Sequence, residues 1–421
     1  MTGAHPARDL AVLIADRLAH PDVIPDLPVT KAWWRQLLAH GAPGIALLHI
    51  ELAAAEVRPW RRVHDWLTHA TRIQITTGPD SHLFYGAPAL AHALACAAAT
   101  RSGSYEKALA ALDAKITADA RRRVDAAHAR IDGGHLPAMT EFDTIRGLAG
   151  IGSYLLRRAP DSATLRAVLK YLVRLTEPVT VGGETLPGWW TTTAPSARFS
   201  DRFPGGHGNC GMAHGIGGPL ALLALAALRD VTVDGHREAI GRIIAWYDRW
   251  RRDTDAGPVW PYWVTRSQLR ADRLDPVGPL RPSWCYGTAG VGRALQLAAL
   301  ATGDAGRRNM AEDALVRALA DPGQLAATTD SSLCHGYAGL AHIAARAADD
   351  AVPAAATRLR ALIPALLNAV HPPGADPRRT AATLRDEPGL LDGTAGTALA
   401  SLTPSSNALP RSGWDACLLI I

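Results

Sequence analysis

"GTAGVGRALQLAAL", residues 287–300, sets two glycines three apart, Gly287 and Gly290, at the head of an apolar run with helical spacing. Directly before it stands "SWCY", so that Cys285 lies two residues ahead of Gly287. The same arrangement returns in "SLCHGYAGLAHIAARA", residues 332–347, with Cys334 two ahead of Gly336 and His335 between them. Alignment on the glycines finds five further copies: "GAPGIALL" from Gly41, "GAPALAHAL" from Gly86, "GLAGIGSYLL" from Gly147, "GIGGPLALLALA" from Gly215 and "GTAGTALAS" from Gly393. Only the second departs, with Ala89 in place of its second glycine. Successive copies are about 45 to about 72 residues apart, room for two helices and their loops.

A glycine at a helix head removes a side chain where the first turn must pass close to its neighbours. Between the copies lie amphipathic segments such as "REAIGRIIAWYDRWRR", residues 237–252, suited to an outer layer with one solvated face. Inner apolar and outer amphipathic helices alternating seven times predict an all-α chain. The expected fold is an α,α-toroid, a double-layer barrel of about fourteen helices with the seven glycine loops gathered at one axial end. The chain reads as a single domain over 1–421. It carries a helical excursion at 104–135 and a long loop, rich in Pro, Trp and Arg, at 251–280.

Composition removes several classes of function. The 44 Lys and Arg against 39 Asp and Glu are spread as singletons and short pairs, so no nucleic-acid footprint is present. In "MTGAHPARDLAVLIADRL", Asp16 and Arg17 interrupt any signal-peptide core, and the segment reads as an amphipathic helix. The most apolar stretch, "GIGGPLALLALAAL" at 215–228, is too short to span a bilayer. A cytoplasmic location follows as the expectation. Five cysteines, Cys96, Cys210, Cys285, Cys334 and Cys417, are too few for a disulfide scaffold and point to metal binding or catalysis where they cluster.

If the glycine loops share one end of a toroid, Cys285 on one loop meets Cys334 and His335 on the next, and Cys, Cys and His form a zinc set. Both cysteines precede helix N-termini, where the dipole favours thiolate. Three protein ligands leave the fourth position open, as in catalytic zinc; the competing reading makes Cys210 a fourth ligand and the metal structural. An open two-thiolate zinc suits activation of a further thiol for attack on a soft electrophile, whereas carbonyl hydrolysis favours a harder donor set. Proton-transfer candidates decorate the other loops: His214 just before Gly215, Asp143 four residues before Gly147, and Arg281 four before Cys285. The matched offsets of Asp143 and Arg281 predict that the two pair across their loops. The copies at Gly41, Gly86 and Gly393 show no obvious ligand and read as packing devices.

These residues resemble the lanthionine synthetase C-like (LanC) family over nearly the whole chain. "WCYGTAG" and "CHGYAG" are similar to its zinc motifs, "NCGMAHGIGGPLALL" to its histidine motif and "FDTIRGLAGIG" to its aspartate motif, with Cys210 where the family usually has leucine. The resemblance implies an α,α-toroid holding one Zn2+ per chain on Cys285, Cys334 and His335. It implies His214 as acid or base, with Asp143, Arg281 and Tyr286 lining the site and orienting or polarising the groups that exchange protons. The implied activity is that of a free-standing class I lanthipeptide cyclase, adding peptide cysteine thiols to dehydroalanine or dehydrobutyrine to form (methyl)lanthionine rings. The implied partners are a dehydrated precursor peptide, a separate dehydratase, and a membrane transporter that would hold the protein at the inner membrane surface. Two other readings stand beside it: a glutathione- or peptide-binding LanC-like protein without cyclase activity, and a prenyltransferase-like zinc enzyme that alkylates thiols.

Overall fold

All seven glycine turns open helices in the computed structural model, which describes residues 6–24, 29–194, 201–275, 278–384, 387–406 and 408–421. By contacts the chain falls into two units, one of residues 1–116 and 328–415, the other of residues 117–327 and 416–421.

In the first unit the turns launch Ala42–Ala54, Ala87–Thr100, Tyr337–Asp350 and Thr394–Ser406. Ala42–Ala54 is buried along nearly its whole length, as expected of a helix apolar on all sides. It packs against Ala87–Thr100 and Thr394–Ser406, which in turn meets Tyr337–Asp350. Outside this inner set lie Ala7–Arg17, Arg61–Ala70 and Pro353–Val370, each packed chiefly on one inner helix. The amino-terminal helix covers the last inner one, Thr394–Ser406.

The second unit repeats the scheme with inner helices Leu148–Arg158, Gly217–Ala227 and Thr288–Thr302. Its outer layer includes Ala163–Leu175, His236–Trp250 and Ala305–Ala320. Ala163–Leu175 shows why such helices form. Ser162 caps its N-terminus by accepting from the Leu165 amide, Leu165, Val168, Leu169 and Leu172 make a buried stripe, and Arg166 and Lys170 face solvent.

The glycine pair has a more local cause than expected. A Cβ on Gly44, Gly290, Gly339 or Gly396 would strike the carbonyl oxygen of Leu38, Trp284, Leu333 or Leu390, in each case the residue six positions earlier. The obstacle is the chain's own lead-in loop, folded back over the first helical turn. At Gly287, φ is +120°, a conformation that L side chains rarely adopt, and this glycine also lies against the Arg281 carbonyl.

The expected excursion at 104–135 contains one 27-residue helix, Glu106–Asp132. The segment expected as a long loop at 251–280 is more built than that, with Pro276 and Val277 lying outside the described residues. Arg252–Thr254 pairs antiparallel with Gly257–Val259, and Trp263–Thr265 pairs with His207–Asn209. Helix Arg266–Ala271 follows, opened by a capping box between Thr265 and Gln268. Strands of three residues are too short to leave an alternating pattern in the sequence. Among the described residues, no helix is long and apolar enough to cross a membrane.

Candidate metal and proton-transfer site

In the second unit three glycine loops are stitched together by main-chain bonds. The Thr144 amide donates to the Ala213 carbonyl at 3.1 Å and its hydroxyl to the Met212 carbonyl at 2.6 Å. The Met212 amide donates to the Cys285 carbonyl, also at 3.1 Å. Gly211 is where two of the loops touch, since a Cβ there would meet the Cys285 carbonyl and the Tyr286 ring. Asp143, His214 and Cys285 are thus carried on segments that cannot shift independently.

Asp143 is fully buried and closes the short helix Met139–Phe142. Its Oδ1 accepts from the Arg146 and Gly147 amides at 2.6 and 2.8 Å, and its Oδ2 lies 2.7 Å from His214 Nδ1. The carboxylate therefore aims the imidazole and commits its Nδ1, leaving Nε2 for other work. The pair expected between Asp143 and Arg281 is replaced by this dyad: both carboxylate oxygens are taken from within the Asp143 and His214 loops. Arg281 is half-buried, and its Nε has no hydrogen-bond partner among the described residues.

Tyr286 is held by Asn209, whose Nδ2 donates to the phenol oxygen at 3.0 Å while its Oδ1 accepts from the Gly211 amide. Burial pushes the Tyr286 hydroxyl well above its ordinary range, so it remains a donor. Ser283 fixes the turn by donating to the Tyr286 carbonyl, and its Oγ lies 3.5 Å from the Cys285 sulfur. Asn209 escaped the sequence reading, although it stands in the quoted histidine motif. Cys210 is a different kind of thiol. It is buried, takes a 3.5 Å contact from Trp246 Nε1, and is pushed up to about 12 by burial, so it stays protonated and belongs to the core.

In the first unit the Cys334 amide donates to the Leu391 carbonyl at 2.9 Å, while the Leu390 and Leu391 amides both donate to the Ala39 carbonyl. His335 lies between two carboxylates, with Nε2 3.0 Å from Asp330 and Nδ1 3.4 Å from Asp392. Burial alone would raise Asp330, but hydrogen bonds from His335 and Ser332 prevail and hold it well below the usual carboxylate range. Asp330 fixes the ring through Nε2, while the 3.4 Å approach of Asp392 to Nδ1 is longer than an ordinary hydrogen bond, so Nδ1 is the nitrogen that fits a metal ligand; metal-bound imidazoles are commonly oriented by a carboxylate in this way. The sequence held a signal for Asp392: it fills the slot just before a first glycine that His335, His214 and Tyr286 fill in their own copies. His40 has the same slot and is raised by its 3.1 Å bond to Glu387. The copies at Gly41 and Gly393, expected to serve packing alone, therefore carry polar contacts as well.

None of the five cysteines is in a disulfide. The second unit thus holds a glycine-loop thiol, Cys285, beside a carboxylate–imidazole dyad, and the first unit holds a glycine-loop thiol, Cys334, next to an imidazole bracketed by carboxylates. The sequence model of the family described as lanthionine synthetase C-like protein matches residues 32–419, and the chain belongs to that family. It is 26% identical over 220 residues to the nisin biosynthesis protein NisC of Lactococcus lactis subsp. lactis, a match covering 51% of each. The chain thus spans about half the length of the curated relative it matches. Among solved structures it resembles nisin cyclase at a TM-score of 0.75 and 21% identity, over 98% of this chain and 97% of that one. The all-α toroid expected from the glycine turns is the fold class of that structure.

Proposed function

We propose that this protein is a zinc-dependent lanthipeptide cyclase that joins cysteine thiols of a dehydrated precursor peptide to dehydroalanine or dehydrobutyrine, as (methyl)lanthionine. The observation that carries the reading is the His214–Asp143 dyad, set on loops bonded to the one that bears Cys285, in a chain of the lanthionine synthetase C-like family. Cys285, Cys334 and His335 would hold the zinc, a donor set of two thiols and one imidazole. When bound, the metal supplies acidification of a substrate thiol near neutral pH. The thiolate sulfur attacks the β-carbon of the dehydro residue, the alkene pair moves toward the carbonyl, and the α-carbon then takes a proton. His214 exchanges that proton at Nε2 while Asp143 holds Nδ1. Tyr286 and Arg281 polarise the carbonyl where negative charge develops.

The reading takes the whole chain as one cyclase domain working in the cytoplasm or at the inner membrane surface, with a separate dehydratase and a transporter as partners. Incubation of the purified protein with a dehydrated, cysteine-containing precursor peptide tests it. Free thiol should disappear at unchanged peptide mass. A peptide that binds yet keeps its thiols would establish the binding-protein reading instead, and a gain in mass would indicate alkylation.

A further inference from the structure

A cavity of about 440 Å³ lies within the second unit, lined by the built segment that follows Arg251 and by residues 321, 323 and 324. Trp260, 1% exposed, is among its lining residues, with half-buried Tyr262 and Trp263 and apolar Val259, Leu274 and Leu280. The proton-transfer equipment described above does not use this space, yet it adjoins that equipment. The Tyr262 ring lies 5.4 Å from the Tyr286 ring and Trp263 lies 6.0 Å from it, both centroid to centroid. The Tyr262 hydroxyl donates to the Arg281 carbonyl at 3.2 Å, and Leu280, on the cavity wall, precedes Arg281 in the chain. An aromatic surface thus runs from the cavity to the loop that carries Cys285.

Two further observations describe what would fit. Gln324, which also lines the cavity, is 2% exposed, and neither its Nε2 nor its Oε1 has a partner among the described residues. A buried carboxamide left without partners is costly, and an entering peptide group supplies the matching acceptor and donor. Among the described residues the charged lining is lopsided, with Asp255, Asp275 and Asp321 against Arg252.

We infer that this cavity is a specificity subsite of the proposed cyclase, taking one large apolar or aromatic side chain of the peptide near its reacting cysteine and rejecting acidic residues there. The inference rests on the cyclase reading for the ligand being a peptide. Its test uses peptides that cannot form a ring, so the two can fail separately. The probes are the N-acetyl peptide amides Gly-Phe-Ser-Gly, Gly-Ala-Ser-Gly and Gly-Glu-Ser-Gly, followed by saturation-transfer NMR with the full-length protein. The Phe peptide should bind roughly tenfold or more tightly than the Ala peptide, as burial of a large apolar side chain predicts, and the Glu peptide should show no transfer. Leu274→Trp, at a half-exposed position, should fill the space and bring the Phe peptide down to the Ala level. Asp255→Lys, at an exposed position, should admit the Glu peptide and leave the Phe peptide bound. Equal binding of the Phe and Ala peptides, undiminished transfer in Leu274→Trp, or indifference of the Glu peptide to Asp255→Lys would each overturn the subsite. Preserved selectivity in a protein that cyclises no precursor would overturn the cyclase reading and leave the subsite standing.

Discussion

At Cys210, Cys285, Cys334 and His335, residue type alone offers four metal ligands, and environment sorts them. Cys210 lies in the core under Trp246 with its thiol pushed up to about 12, whereas Cys285 and Cys334 stand two residues ahead of the N-caps of long helices. Metal analysis of purified protein should therefore find about one zinc per chain in the wild type and in Cys210→Ala, and depletion in Cys285→Ala and His335→Ala. Zinc loss in Cys210→Ala would restore the structural four-ligand reading. His214 and Asp143 act as one unit, with Nδ1 and Oδ2 2.7 Å apart. On the proposed mechanism, His214→Asn should leave zinc binding intact and lose on the order of a hundredfold in ring formation, because it removes the group assigned to proton exchange. Asp143→Ala should also slow the reaction, and the double variant should be little slower than the worse single one, since groups that work through one another are not additive. Losses that multiply in the double variant would separate the roles of the two. The candidates themselves were legible in the sequence, because each sits at a fixed offset from a glycine. Their pairing was not: equal offsets suggested Arg281 for Asp143, and only the bonds from Thr144 to Met212 and Ala213 bring His214 there instead.

The inner helices were legible because their apolar runs and glycine heads are local properties of the chain. What stayed hidden was why the second glycine is there. Folding the lead-in loop over the first helical turn places a carbonyl against the i+3 position, and no sequence pattern names that carbonyl. The explanation gives opposite signs to one kind of substitution. A Cβ at Gly396 would collide with the Leu390 carbonyl, so Gly396→Ala should destabilise by about 2 kcal/mol, the usual scale for an overpacked core. Gly241 lies exposed inside the outer helix His236–Trp250 with nothing near its missing Cβ, and Gly241→Ala should stabilise by up to about 1 kcal/mol through helix propensity. Urea unfolding of both variants beside the wild type checks the pair, and a neutral Gly396→Ala would remove the steric account of the motif. The short strand pairs at Val179–Val181 with Glu184–Leu186 and at His207–Asn209 with Trp263–Thr265 lay beyond the sequence for a different reason. Three residues carry too little periodicity to read, and the second pair joins segments more than fifty residues apart.

Contacts of long sequence separation were the least legible of all, and they tie the two-layer helices into units. Arg293, fully buried, donates to the Ile420 carbonyl, and Trp284 donates to the Leu418 carbonyl, so the last residues of the second unit hold the helix behind Cys285. In the first unit the equivalent anchor is Asp415. It is fully buried and accepts from Arg346 at 2.6 and 2.8 Å, with His342 Nε2 2.8 Å away, both on the helix that begins just after His335. Burial alone would raise this carboxyl, but the Arg346 guanidinium and the His342 hydrogen bond prevail and hold it well below the usual carboxylate range. A group whose ionisation is depressed by folding adds stability above its unfolded-state value, about pH 4 for aspartate, and loses it as pH falls toward the folded-state value. Asp415→Asn strands the guanidinium of Arg346, itself 11% exposed, and should cost about 3 kcal/mol or more at pH 7. The gap between wild type and variant should be constant from pH 7 to 5 and narrow below about pH 4, as the wild type gives up the proton linkage that the variant never had. Chemical unfolding at pH 7, 5, 4 and 3 measures that gap. A gap that persists unchanged to pH 3 would show that Asp415 stabilises the helix through its hydrogen-bond geometry alone, with its charge contributing nothing.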